Sequence, residues 1–318
     1  MQYFPIFVDT QQLNVLVVGG GEVATRKIEL LLKSNANVTV VSPDLSQEIQ
    51  EFVNVGRVEH INEHYHESML ESRQLVFVAT ANNELNAQIS AQAKARNIFA
   101  NVVDSQALCH FITPSIIDRS PMVFAISSEG AAPVLVRYWR ERLESIIPLA
   151  LGKVASFSGS KRQVVKDSFS DGNQRRRFWE RFFSSGNSDD ASKLSGLFRR
   201  LLNKEQQVEG VDGELYMIQT TSDAQMLSLA ALRHMQQSDI ALVDEDIDGQ
   251  IIELIRRDAN ISKLNQSDRL IQIERLLKDN QRVCILTNKP LAQWQGVYQQ
   301  FSTNFTVRQF NSALSIGE

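Results

Sequence analysis

The chain has 318 residues, 43% apolar and 22% charged, with 15 Gly and 7 Pro, a globular composition that excludes collagen-like, low-complexity and wholly disordered classes and predicts two or three domains. The net charge of −4 conceals a basic middle, with 12 Lys and Arg against 6 Asp and Glu in residues 151–205, between two acidic flanks; that pattern fits an anionic small molecule or an acidic partner surface as well as nucleic acid. Cys109 and Cys284 are isolated, no apolar run approaches the ~18 residues of a membrane span, and the first ten residues lack a signal-peptide pattern, so a cytoplasmic protein with no disulfide framework, structural zinc or membrane contact is expected.

Short β-branched runs predict strands at 15–18 (VLVV), 38–41 (VTVV), 75–78 (LVFV) and 99–103 (FANVV), with helices at 23–34 and 84–96 between them. Strand and helix in alternation imply βαβ units on a parallel sheet. A strand at 122–126 (MVFAI) then leads through SSEGAAP to an amphipathic helix at 134–147, with Pro133 near its start and Pro148 after its end. Residues 149 to about 204 read as helical. Trp139, Phe157, Phe169, Phe178, Trp179, Phe182 and Phe183 there offer more aromatic surface than a small helical unit buries alone, which predicts a homodimer. Residues 206–213 read as a linker, after which strands at 214–218, 240–243 and 283–286 and helices at 224–237, 249–257 and 268–278 predict a small α/β domain.

The first strand runs directly into Gly19-Gly20-Gly21-Glu22-Val23-Ala24, a G-x-G-x-x-A variant that opens a helix. Glycine lets the backbone turn tightly and approach a pyrophosphate, whose charge meets the helix N-terminus, although glycines also make ligand-free turns. The flanking strand and helix favour dinucleotide binding in a Rossmann-type domain. An acidic ribose ligand is expected at the end of the second strand, where Ser42-Pro43-Asp44 stands; Asp44 is slightly late, and Ser42 shares the duty. No Arg follows there to hold a 2′-phosphate, which favours NAD over NADP. Asp104 ends the 99–103 strand, at the edge where ligands lie in open parallel sheets, and a carboxylate there serves either as a general base or as a turn residue. Ser128 either caps the next helix or holds a substrate carboxylate. Arg119, Arg137, Arg140, Arg142 and the run Arg175-Arg176-Arg177 are candidates for a polyanionic substrate, against the alternative of solvated helix faces. His64 and His66 lack a third ligand, and no metal site is predicted.

Residues 1–9 (MQYFPIFVD), VLVVGGGEVATRKIELLL, NVVD at 101–104, FITPSIIDRSPMVFAISSEGAAPVLVRYWRERLES at 111–145 and RRRFWERFF at 175–183 resemble the amino-terminal half of siroheme synthase. The resemblance implies a homodimeric enzyme of siroheme biosynthesis, using NAD to oxidise precorrin-2 to sirohydrochlorin and then inserting Fe(II). It implies Asp104 as the catalytic residue of both steps and places Ser128 in the tetrapyrrole pocket, where it is a candidate for phosphorylation. Cofactor contacts then fall to Gly19, Gly21, Glu22, Val23, Ser42, Pro43 and Asp44, substrate contacts to Ser128, Arg119 and Arg137. The implied domains are an NAD-binding Rossmann domain (1–113), a dimerisation and helical substrate-binding region (114–205) and a methyltransferase-like domain (213–318). In that last domain QTTSD at 219–223 and TNKPL at 287–291 replace the family's glycine-rich loops, so methyl transfer is not expected. Alternative readings are a dehydrogenase without chelation, and a non-catalytic NAD or tetrapyrrole sensor. Neither nucleic acid nor a membrane is expected as a partner.

Overall fold

In the computed structural model, residues 1–185, 189–206, 213–265 and 267–311 are described. The chain divides into two compact units, Met1–Leu149 and Ala150–Glu318. Residues 207–212 of the expected linker lie outside the described residues.

The first unit is built on strands β1 (Asn14–Val18), β2 (Asn37–Val41), β3 (Glu59–Ile61), β4 (Leu75–Val78) and β5 (Phe99–Val102), with helices α1 (Glu22–Leu31), α2 (Gln47–Asn54) and α3 (Asn83–Ala95). All the strand pairings are parallel and the order is β3-β2-β1-β4-β5. The continuous apolar runs of β1, β2 and β4 are buried on both faces, one packing with Ile28 and Ile49 and the other with Ile89 and Ala93, as expected of a helix-covered parallel sheet. Chain order reverses between β1 and β4, so the crevice for a ligand opens beyond the carboxyl ends of those two strands. An antiparallel hairpin, β6 (Ser115–Arg119) with β7 (Met122–Ile126), and helix α4 (Pro133–Ile146) complete the unit.

In the second unit, α5 (Leu151–Ser168), α6 (Gly172–Ser184) and α7 (Ala191–Gln206) form a helical cluster. It corrects part of the premise of aromatic excess: Phe169, Phe178 and Phe182 are buried among Val154, Leu194 and Phe198, with Phe157 and Trp179 packed against them. Of the seven aromatics Trp139 and Phe183 stay exposed, and Val134, Leu135, Tyr138 and Ile146 of α4 are exposed as well. The remaining elements are β8 (Glu214–Gln219), α8 (Leu229–Gln237), β9 (Ile240–Val243), α9 (Gly249–Ile252), β10 (Asn260–Lys263), α10 (Arg269–Lys278), β11 (Arg282–Thr287), α11 (Gln295–Phe301) and β12 (Thr306–Phe310). They form a second parallel sheet, in the order β10-β9-β11-β8-β12.

Buried charge joins α6 to this sheet. Arg176 pairs with Asp239, which also accepts from the Arg282 backbone N–H at 2.9 Å and faces Arg256 at 3.8 Å. Arg282 pairs with Glu180 and, at 3.3 Å, with Glu214. The guanidinium of Arg177, almost fully buried, donates to the Asn280 carbonyl at 2.9 Å. These arginines serve the joint between helix and sheet, so Arg176 and Arg177 leave the set of candidate substrate ligands. Removing the carboxylate with Asp239→Ala strands buried cations, and a loss of about 3–5 kcal/mol is expected, read as a lower denaturant midpoint in full-chain unfolding.

Candidate functional site

The turn after β1 is set by two close approaches. Gly19 has φ +115°, and a Cβ there would lie 2.3 Å from the Ala79 carbonyl oxygen at the end of β4. At Gly20 a Cβ would lie 2.0 Å from the Asp44 carbonyl oxygen and 2.9 Å from Ser42 Oγ. The Gly20 carbonyl in turn accepts from Ser46 N at 2.7 Å, so the middle glycine, absent from the motif's fixed positions, ties the β1–α1 turn to the β2–α2 loop. Gly21 differs. It is the N-cap of α1, its own side-chain position faces open space, and no side chain caps the helix there. A helix N-terminus with free N–H groups and clear space before it accommodates an anionic group such as a pyrophosphate.

Glu22 and Val23, the first residues of α1, are exposed. At the end of β2, Ser42 donates its hydroxyl to the Asp44 carbonyl at 2.7 Å, and its own carbonyl meets His60 Nε2 at 2.9 Å. This fixes the loop and leaves Pro43 and the Asp44 carboxylate at the surface. The structure thus gathers six of the seven candidate cofactor residues around the β1 and β2 carboxyl ends as exposed or backbone-accessible groups, while the Ser42 hydroxyl is already engaged within its own loop.

A cleft of about 720 Å³ opens between the end of β5, the hairpin and α4, and takes in Lys27 of α1. Asp104, Ser128 and Arg137, distant in sequence, all line it, together with Lys27, Cys109 and Arg140. Asp104 is exposed on a left-handed backbone with φ +57°, the conformation to which Asp and Asn are better suited than other side chains. Ser128 Oγ accepts from Ala132 N at 3.0 Å, which holds the loop before α4 without capping the helix, and Ser128 lies on the cleft wall. The loop before α4 is further held by Glu129, whose carboxylate accepts from Gln2 N and Tyr3 N at 3.0 and 3.3 Å.

The other arginines separate by what they touch. Arg119 is outside the cleft lining and pairs with Glu144; Arg140 meets the same carboxylate at 3.7 Å. Arg142 lies over the rings of Tyr138 and Trp139, 5.6 and 5.4 Å from their centroids. Arg137 makes no ion pair with the described residues. Sequence reasoning passed over Lys27, because nothing in a helical TRKIE marks one of two adjacent cations; only the helix's rotation carries Lys27 into the cleft while Arg26 points to solvent. Burial lowers the Lys27 pKa, opposed by the nearby Cys109 and Asp104.

Residues 6–115 match a family model for NAD(P)-binding, and residues 150–193 match one described as the sirohaem synthase dimerisation region. The chain is 45% identical over 265 residues to siroheme synthase of Pseudoalteromonas atlantica, and 41% identical over 273 residues to siroheme synthase of Methylobacillus flagellatus. These alignments take in 81% and 84% of the chain but 57% and 58% of the relatives, so the chain spans somewhat under three fifths of their length. Among solved structures, a precorrin-2 dehydrogenase is similar in fold, with TM-score 0.52 and 24% identity, over 65% of this chain and 100% of that one. Among the described residues no helix is long and apolar enough to cross a membrane.

The glycines of the turn are expected to separate by substitution. Gly20→Ala forces backbone apart and should cost about 1–3 kcal/mol. Gly21→Ala meets no protein atom and should cost no more than about 1 kcal/mol, the N-cap preference for glycine over alanine, while weakening dinucleotide binding; thermal unfolding paired with NAD titration of both variants checks this.

Proposed function

The chain is a relative of siroheme synthase, and from that premise we propose that it is a precorrin-2 dehydrogenase and sirohydrochlorin ferrochelatase, oxidising precorrin-2 with NAD and inserting Fe(II) into the product. The observation that carries this reading is the convergence of Asp104, Ser128 and Arg137 on one cleft that also takes in Lys27 of the helix opened by the glycine turn. A dehydrogenation needs a dinucleotide next to its substrate, and a polycarboxylate substrate needs cations.

The residues at the turn fit a dinucleotide. The pyrophosphate meets the N–H groups following Gly21, with Glu22 and Val23 alongside, and the adenosine ribose meets the loop of Ser42, Pro43 and Asp44. No Lys or Arg stands in residues 41–47, and the exposed Asp44 carboxylate opposes a 2′-phosphate, which supports NAD rather than NADP. A dinucleotide held by these residues would supply the hydride acceptor for the oxidation. Asp104, solvent-accessible at its turn, accepts the proton that leaves with the hydride. In chelation the macrocycle loses two pyrrole protons as Fe(II), a substrate, enters; the same carboxylate takes them in turn and passes them to water. Ser128 and Arg137 bind the tetrapyrrole, while Arg119, paired with Glu144, supports the wall that carries Arg137.

The match of residues 150–193 to a dimerisation region and the exposed apolar side chains of α4 support a homodimer. Neither nucleic acid nor a membrane is part of this reading, and two uncrosslinked cysteines suit a reducing cytoplasm. The second parallel sheet is a methyltransferase-like remnant that does not transfer methyl groups.

One anaerobic assay following both steps tests the function. Asp104→Asn is nearly isosteric and remote from the pyrophosphate position, so NAD affinity should stay as in the wild type while both rates fall about 10²–10⁴-fold; rates near wild type for both reactions remove Asp104 from the mechanism. Sedimentation at micromolar concentration should give a dimer, and a monomer there contradicts the proposed assembly.

A further inference from the structure

Lys27 belongs to the dinucleotide-binding sheet and helix layer, yet its side chain opens onto the tetrapyrrole side of that layer, in the cleft with Asp104, Ser128 and Arg137. It follows Glu22 by five residues, about 7.5 Å along the helix axis at 1.5 Å per residue, and so stands beyond the first turn whose N–H groups meet a pyrophosphate. Its ammonium lies 5.8 Å from the Phe77 ring centroid and is half-buried. No carboxylate among the described residues forms an ion pair with it. Desolvation disfavours a cation, and it lowers the pKa of Lys27 against the opposing pull of Cys109 and Asp104.

Near the cleft, Arg119 and Arg140 share the Glu144 carboxylate and Arg142 lies over aromatic rings. The lining cations that form no ion pair among the described residues are Lys27, from α1, and Arg137, from α4. A cleft with such cations on separate elements, lined also by the Asp104 carboxylate, is prepared for a ligand bearing several acidic groups around a proton-yielding centre.

We propose that Lys27 is a carboxylate anchor for the tetrapyrrole, binding an acidic side chain of the macrocycle while Asp104 serves its centre. The assignment rests on the functional reading above and extends it to a residue of the nucleotide-binding helix. It makes α1 a shared element: its N-terminus meets the dinucleotide, and a side chain one and a half turns later meets the molecule to be oxidised.

The test uses the full chain, titrated separately with metal-free sirohydrochlorin and with NAD, for the wild type, Lys27→Met and Lys27→Arg. Lys27→Met should weaken sirohydrochlorin binding about 10-fold to 100-fold, the range for losing one charge-assisted contact, leave NAD affinity within about two-fold, and leave the thermal midpoint equal or higher, because an uncompensated half-buried charge has gone. Lys27→Arg should recover most of the sirohydrochlorin affinity. Unchanged sirohydrochlorin binding by Lys27→Met overturns the assignment, as does a loss confined to NAD. A wild-type chain that binds NAD but no sirohydrochlorin would instead overturn the functional reading on which the assignment rests.

Discussion

No side chain fits at positions 19 and 20. The Ala79 carbonyl at the end of β4 and the Asp44 carbonyl beyond β2 press on the turn from two directions, at 2.3 and 2.0 Å from where a Cβ would stand. This packing brings three strand-end loops into contact, and it sets the angle at which α1 leaves the sheet. The consequences run along the helix: Gly21 is left facing open space, Thr25 returns a hydrogen bond to the Gly21 carbonyl at 3.0 Å and its hydroxyl meets Ser46 at 2.8 Å, and Lys27 is turned toward Asp104. The glycine triplet therefore does two kinds of work, two residues for close packing of the protein on itself and one for access by a ligand.

Charge is distributed by a similar division. The basic middle of the sequence suggested a polyanion-binding surface, but Arg176, Arg177 and Arg282 are spent on a buried joint with Glu180, Glu214 and Asp239, where each cation is held by carboxylate or carbonyl oxygens. Burial opposes ionisation of Glu214, and the Tyr216 hydroxyl with the guanidinium groups of Arg282 and Arg177 outweighs it, holding the carboxyl below its usual range. Counting cations along the chain could not distinguish that role from ligand binding, because a salt-bridged arginine and an idle one have the same letter. The uncommitted pair in the cleft, Lys27 and Arg137, is a small and spatially defined remainder.

What the sequence disclosed follows the same physics. Strands buried on both faces read as uninterrupted apolar runs, and β1, β2, β4, β9 and β11 all stand within a residue of where those runs predict them. The strands β3 (EHI), β10 (NISK) and β12 (TVRQF) were not visible, for each lies at the edge of its sheet and is short and polar, as edge strands that avoid further pairing tend to be. Helix α2 was missed because its apolar side is only Ile49, Phe52 and Val53, and the predicted helix at 249–257 shortens to Gly249–Ile252 before turns take over. Strand-end position and the family resemblance pointed to Asp104 and Ser128, which share one cleft. Nothing pointed to Lys27, since its relevance depends on helical rotation against a hairpin 90 residues further on, and no local pattern encodes that.

In the second parallel sheet, polar contacts gather at both ends of the strands. In such sheets the binding crevice lies beyond the carboxyl ends of the strands, and there Asp244, at the end of β9, accepts from Thr287 Oγ1 at 2.9 Å and faces Lys289 Nζ at 3.1 Å. The Thr220 backbone N–H, after β8, donates to the Thr287 carbonyl at 2.8 Å. The residues that follow β8 and β9 therefore meet the end of β11. At the opposite ends of the strands, Asp239, Glu214 and Arg282 take up the buried joint with α6. Hydrogen bonds and an ion pair tie β8, β9 and β11 together at one end and ion pairs join the sheet to α6 at the other, so the strands are fixed at both ends within the second unit.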